Sequence, residues 1–194
     1  VCNVAVAHSA FAGSQFPILT AYHGDNQLHP LPMYDGIDQI LITFDQVVSS
    51  SEGELLDYLT LTDERGAGTT HHPTTVSLSA DGMTATWTFA TTFRHGEWVL
   101  DLNDSVTSYD PYLDEHVALD GEWNGPDYLG DASNTKCFFY YINTSGNGTA
   151  GGDFTFAFSL LLPGDANRDG RVDELDLQTV AANVYAGISS GATW

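Results

Sequence analysis

Between residues 38 and 162 apolar and polar side chains alternate with a period of two, and that rhythm confines most of the chain to β-strands. Ile40, Ile42 and Phe44 share one parity, with Thr43 and Asp45 on the other. Leu59 and Leu61 alternate with Thr60 and Thr62. Val76 and Leu78 lead into Asp81-Gly82, after which Ala85, Trp87 and Phe89 alternate with Thr84, Thr86 and Thr88. An Asp-Gly pair between two alternating runs predicts a tight hairpin, because both turn residues need backbone angles that Asp and Gly tolerate. Trp98, Leu100 and Leu102 mark another strand, and Phe154, Phe156, Phe158 and Leu160 a last one. The dense aromatic run from Cys137 to Ile142 fits a strand buried on both sides. About seven short strands, joined by Gly, Asn, Asp and Ser turns, predict an antiparallel β-sandwich. The aromatic stripe then belongs to its core, since each ring sits on the inward parity.

Two segments fall outside the rhythm. Residues 14–37 hold three prolines and two histidines, and read as an irregular crossing or an extended arm. Residues 104–134 are polar, acidic and Gly-rich, and read as the long loop of the sandwich. The opening stretch, Val1 to Gly13, lacks a basic n-region. It reads as a first strand or as the trimmed edge of a secretory precursor. As an apolar strand, Val1, Val4, Val6 and Phe11 offer an edge for pairing with another protomer.

After Leu162 the period changes. Pro163-Gly164 closes the last strand, and Asp165-Ala-Asn-Arg-Asp-Gly-Arg-Val-Asp-Glu-Leu-Asp176 places oxygen donors at positions 1, 3, 5, 9 and 12 of a twelve-residue loop, with Gly170 at position 6. That is the ligand spacing of an EF-hand calcium loop. Asp165, Asn167 and Asp169 supply side-chain oxygens, Arg171 its carbonyl, Asp173 a direct or water-mediated contact, and Asp176 the closing carboxylate. Several carboxylates in so short a loop repel one another without a hard cation, so Ca2+ is the expected cofactor. Beyond it, Leu177, Val180, Ala181, Val184 and Ile188 recur at helical spacing, with Gly187 as a terminator. A unit this small cannot bury its own stripe, so the helix must lean on the sandwich, on a second copy or on another chain.

The segment from Gly164 to Leu177 resembles one repeat of a type I dockerin, in which Asp176 stands at position 12 where most EF-hands carry Glu. The preceding region, with Asp38-Gln-Ile-Leu-Ile-Thr-Phe-Asp45, Leu119-Asp-Gly-Glu-Trp123 and Gly148-Thr-Ala-Gly-Gly-Asp-Phe-Thr-Phe156, is similar to the Ig-like sandwiches of large secreted proteins from planctomycete-like bacteria. The resemblance implies three parts: an N-terminal strand or arm over 1–35, an Ig-like β-sandwich over 36–162, and a dockerin-like calcium loop and helix over 163–194. Dockerins carry two such repeats, and one is present here. Glu174 and Leu175 also replace the small hydroxyl pair of cohesin-binding dockerins, so a cohesin is a doubtful partner.

Charge narrows the partners further. With 26 acidic side chains against 5 Lys and Arg, the formal net charge is −21. Nucleic acid and anionic membrane surfaces both need a basic face, which these residues do not provide. No stretch approaches the ~20 apolar residues of a membrane span. Cys2 and Cys137 match no metal motif; they are compatible with one disulfide or with two buried thiols. Asn103, Asn143 and Asn147 each begin an Asn-x-Ser/Thr triplet, a glycosylation acceptor only in a secreting host. Low lysine, many threonines and calcium chemistry together point to an extracellular or cell-surface location.

No nucleophile elbow, P-loop or zincin motif is present. His71-His72 has no partner ligands at metal spacing, and reads as incidental. Asp101, Asp104, Asp110 and Asp114 are the candidates for a second calcium site. The expectation is therefore a non-catalytic extracellular structural protein, stabilised by calcium, that associates with itself or with another extracellular protein. Subunit contacts would build a surface assembly or filament. The alternative is a dockerin-type docking or carbohydrate-associated module of a secreted enzyme complex.

Overall fold

A computed structural model describes residues 1, 3–10, 15–17, 29–32, 36–63, 68–110, 112–121, 149–167 and 169–186. Cys2, Cys137, Asn143, Asn147, the 137–142 aromatic run and Ile188 lie outside them. The described chain is mainly β, as its alternation predicts, with strands in two five-stranded sheets and a separate hairpin.

The first sheet contains β1 (Asn3–Ala7), β2 (Gln15–Pro17), β4 (Ile37–Thr43), β7 (Thr75–Leu78) and β8 (Thr84–Phe93), in the order β2-β1-β4-β8-β7. The second contains β3 (His29–Pro32), β5 (Leu59–Asp63), β6 (Thr70–His71), β9 (Gly96–Leu102) and β12 (Phe154–Leu161), in the order β3-β12-β9-β5-β6. The hairpin is β10 (Thr107–Asp110) with β11 (Glu115–Ala118). Among the described residues there are two helices, α1 (Glu52–Tyr58) and α2 (Glu174–Ala186).

One hydrophobic core draws on both sheets. Val4, Val6, Ile40, Ile42 and Trp87 face it from the first, and Leu59, Leu61, Leu100, Leu102 and Phe158 from the second, all fully covered. Each fully buried aliphatic or aromatic side chain contributes about 1.5–3 kcal/mol by leaving water. The aromatic stripe of β12 is core: Phe154, Phe156, Phe158 and Leu160 are all buried. The Asp81-Gly82 hairpin forms as expected, with Gly82 at φ +69 and Asp81 accepting from the Ser79 hydroxyl and the Met83 N–H.

Three features depart from the sequence reading. Val4 and Val6 do not offer an edge to another protomer: β1 lies inside its sheet, antiparallel to β4 on one side and β2 on the other. The reason is parity, because Val4 and Val6 complete the core that Ile40 and Ile42 begin. Pairing is also not wholly antiparallel, since β3, drawn from the supposed crossing at 14–37, runs parallel to β12. Finally, the supposed long loop after residue 104 contains the β10–β11 hairpin.

Helix α1 has no apolar period long enough to announce itself, yet its start is encoded. Ser51 accepts from the Glu54 N–H, while the Glu54 carboxylate accepts from the Ser51 N–H at 2.8 Å. This capping box satisfies two donors that a helix start otherwise leaves open. The helix plugs the sandwich: Leu55 is buried and its carbonyl accepts from Trp87 Nε1 at 2.8 Å.

Register fixes the two poles of the molecule. Gly96 pairs with Leu160 at one end of the second sheet, and Leu102 pairs with Phe154 and Leu59 at the other. The β8–β9 turn, with Arg94 and His95, marks the first pole; α1 and the β10–β11 hairpin mark the opposite one.

Candidate functional site: the acidic loop and its helix

The loop from Asp165 to Asp176 leaves β12 at the β8–β9 pole. Its folding is dictated by short acidic side chains that accept their own backbone N–H groups. Asp165 accepts from Asp169 at 3.0 Å and from Gly170 at 2.7 Å. Asn167 Oδ1 accepts from Asp169, and Asp169 Oδ1 from Arg171. Asp173 accepts from the Leu175 N–H at 2.8 Å, which places its carboxylate at the N-terminus of α2, where the helix dipole favours negative charge.

Asp176 closes the ring. It is 3% exposed and accepts from the Asp173 N–H at 2.7 Å and the Asn167 N–H at 3.2 Å. These N–H donors, Asp173's foremost, hold its carboxyl below the usual 3.8, and the Asp165 carboxyl lies beside it. The first and last positions of the loop are thus adjacent, although eleven residues apart in sequence. Gly170 takes φ +84, the left-handed turn that a side chain resists.

The candidate ligands thus divide. Asp176 accepts from the Asn167 N–H across the loop with Asp165 beside it, and Asp169 accepts from Asn167 Nδ2 at 3.1 Å. Asp173 turns to the helix start, and Arg171 is exposed. Among the described residues no three His, Cys, Asp or Glu side chains are drawn together as a ready shell. The donor chemistry nonetheless suits a hard cation. A carboxylate offers about four lone-pair sites, so accepting one or two N–H groups leaves others for an ion. Asp165 beside Asp176 is also a like-charged pair that a cation between them would relieve.

Sequence reasoning missed what the loop rests on. A side chain at Gly170 would collide with the His95 ring, so the β8–β9 turn packs directly against the loop's tightest point. His95, Gly96, Glu97 and Leu161 line a small cleft closed by Asp165. No sequence spacing links residue 95 to residue 170; only the common pole does.

The helix beyond the loop stays bare. Leu177 is 68% exposed and Val184 59%, with Leu175 and Val172 also exposed. Of the predicted stripe, Leu177, Ala181 and Val184 are exposed and Val180 is half-buried.

The other candidates separate. Asp101 on β9 lies near Asp153, and Asp153 accepts from the Asp104 N–H at 2.8 Å. Asp110 and Asp114 instead frame the tip of the β10–β11 hairpin. The proposed second calcium set is therefore split between the sandwich and the hairpin. Burial, helped by the Asp153 charge, raises the Asp101 carboxyl above 3.8. Asn103 sits in the β9–β10 turn, its Oδ1 accepting from the Ser105 N–H at 2.9 Å. His71 is packed rather than free, its ring 5.1 Å from Phe93 and 5.8 Å from Trp98. A larger cavity of about 260 Å³ lies between the Phe44–Val48 segment and the hairpin, bordered by Asp45 and Asp120. Among the described residues no helix is long and apolar enough to cross a membrane.

No family model matches the chain, and no curated protein matches it. Among solved structures it is similar to domains 1–6 of the surface layer protein SbsC, at 15% identity and a TM-score of 0.35, over 64% of this chain and 12% of that one. The N-terminal part of the bacterial S-layer protein SbsC gives 15% identity and a TM-score of 0.36, over 66% and 21% respectively. The chain thus spans about a fifth or less of the proteins it resembles. At that distance the likeness decides nothing about role, and function rests on the residues.

Proposed function

We propose that this chain is a non-catalytic, extracellular structural module that assembles through contacts between subunits, with its loop–helix unit held in place by Ca2+. One observation carries the reading: α2 exposes Leu177 and Val184 while the loop before it is seated on His95 of the sandwich. A helix fixed at its root and bare along an apolar stripe fits a contact with another molecule better than a solvated tail. In this reading Asp165, Asn167, Asp169, Arg171, Asp173 and Asp176 hold the ion. The cation offsets carboxylate repulsion and stiffens the corner from which the helix projects.

The test is calcium titration by calorimetry, paired with sedimentation velocity in calcium and in chelator. The expected result is one ion per chain, removed by Asp165→Ala, and sedimentation that grows with concentration only in calcium. A chain that binds no calcium, or that stays monomeric at high concentration with calcium bound, refutes the corresponding half. Calcium-dependent capture by a cohesin, in place of self-association, would instead support the dockerin-like alternative.

A further inference from the structure

Only Arg94 and His95 stand between the end of β8 and the start of β9, and each reaches a glycine on a different element. A Cβ at Gly36, just before β4, would come 2.9 Å from Arg94 Cγ, so the Arg94 stem lies on bare backbone there. Gly36 is itself buried, at φ +79. A Cβ at Gly170 would collide with the His95 ring, Nε2 nearest, so the ring lies on the loop in the same manner. Arg94 thus anchors the turn to the first sheet, and His95 carries that anchorage to the loop. Both approaches need a residue without a side chain.

From Gly170 the contact passes directly to the first loop position. The Gly170 N–H donates to Asp165 Oδ2 at 2.7 Å, and the Asp169 N–H to Asp165 Oδ1 at 3.0 Å. Both oxygens of Asp165 are therefore aimed by the turn that Gly170 makes at φ +84. Glycine enters that conformation without strain and leaves it as readily, so something else must hold it there. A ring packed on its Cα removes part of that freedom. On the other side of the loop, a Cβ at Gly164 would lie 3.2 Å from Val172 Cγ1. That second contact ties the loop to its own root, whereas His95 ties it to the sandwich.

We propose that His95 is a positioning residue of the calcium site: by holding Gly170 in its left-handed turn, the ring orients the Asp165 carboxylate before the ion arrives. The role rests on the calcium reading above and adds to it a residue from a separate strand connection. The ion's donors then belong to one segment and their buttress to another. A carboxylate already aimed binds with less loss of freedom than one that must first be ordered. The coupling is reciprocal, so an ion that fixes Asp165 and Gly170 also restricts the His95 ring. His116, on β11 at the opposite pole, lies outside this circuit and serves as an internal reference.

The experiment uses the full chain, with calcium binding measured by calorimetry and the histidine ring protons followed by NMR. The variants are His95→Ala, His95→Phe, Gly170→Ala and the double His95→Ala/Gly170→Ala. His95 is exposed on its outer side, so His95→Ala should leave the urea unfolding of the sandwich unchanged. Its calcium affinity should fall by roughly three- to tenfold, the coupling expected of residues in contact. His95→Phe keeps a flat ring and should restore parent-like binding. Saturating calcium should shift the His95 ring protons of the parent and leave those of His116 in place. In chelator, the effects of His95→Ala and Gly170→Ala on amide exchange through α2 should sum to less than additive, because removing the ring removes part of the collision.

A parent that binds calcium beside a His95→Ala variant that binds it as tightly overturns the role of His95 and leaves the calcium reading standing. So does a His95 ring that calcium does not shift, or strict additivity in the double variant. His95→Phe binding as weakly as His95→Ala would likewise sink the role, since the flat ring would not be what acts. A parent that takes up no calcium removes the ion reading, and the positioning role falls with it.

Discussion

Trp87 and Leu177 show how differently two parts of one chain are held. Trp87 is fully covered between the sheets and its indole N–H reaches the Leu55 carbonyl of α1. Leu177, the first residue of the α2 stripe, is 68% exposed. The sandwich is stabilised from within by apolar burial that needs no ligand. The loop–helix unit has almost no buried apolar surface, and its order comes from backbone N–H groups converging on carboxylates. Such a region sits at the low-stability end of a structure, where ligands and partners have most leverage.

The largest test of this contrast is Trp87→Ala. It leaves a cavity and strands the Leu55 carbonyl, so a loss of about 3–5 kcal/mol in urea unfolding is expected, with both sheets failing together. A loss confined to α1 would show that the helix, not the core, depends on Trp87. Next is Gly170→Ala, which forces a side chain into the left-handed turn and against His95. An expected cost of about 1–2 kcal/mol should fall on the loop alone, visible as faster amide exchange through α2 with the sandwich amides unchanged. Equal effects on both regions would mean that they unfold as one unit. Ser51→Ala removes the α1 cap and should cost about 1 kcal/mol in the same unfolding assay.

The smallest effects are in pH, and they run in opposite directions. In chelator, Asp176 is held below 3.8 by N–H groups, so its contribution is present above that value and lost as pH falls through the lower folded value. Asp101 is raised above 3.8 by burial, so ionisation of the folded protein is disfavoured and stability is gained as pH falls through its raised value. Amide exchange from pH 6 downward should therefore show the β9–β12 end tightening before α2 loosens. Simultaneous loosening would break the distinction.

The sandwich was legible because alternation reports parity directly: each core residue of β5, β8, β9 and β12 was readable from its neighbours. Helix α1 was not, since its seven residues make only about two turns and give no period, although Ser51 and Glu54 carried the capping signal. The inner position of β1 depended on pairing with β4, and the parallel β3–β12 contact on residues from opposite ends of the chain. Neither leaves a trace in local pattern. At the loop, ligand order and the glycine turn were written in sequence, while its seat on His95 was a tertiary fact. The acid pair Asp101 and Asp153 was hidden for the same reason.

The parallel pairing of β3 with β12 has a consequence for how the molecule comes into being. The second sheet cannot acquire its edge until a segment made early meets one made late, so nearly the whole chain must be present before the sandwich closes. Such distant pairing is slow to find, and partly made chains expose unpaired strands meanwhile. A chain delivered unfolded to its destination, and completed only there, would escape that hazard.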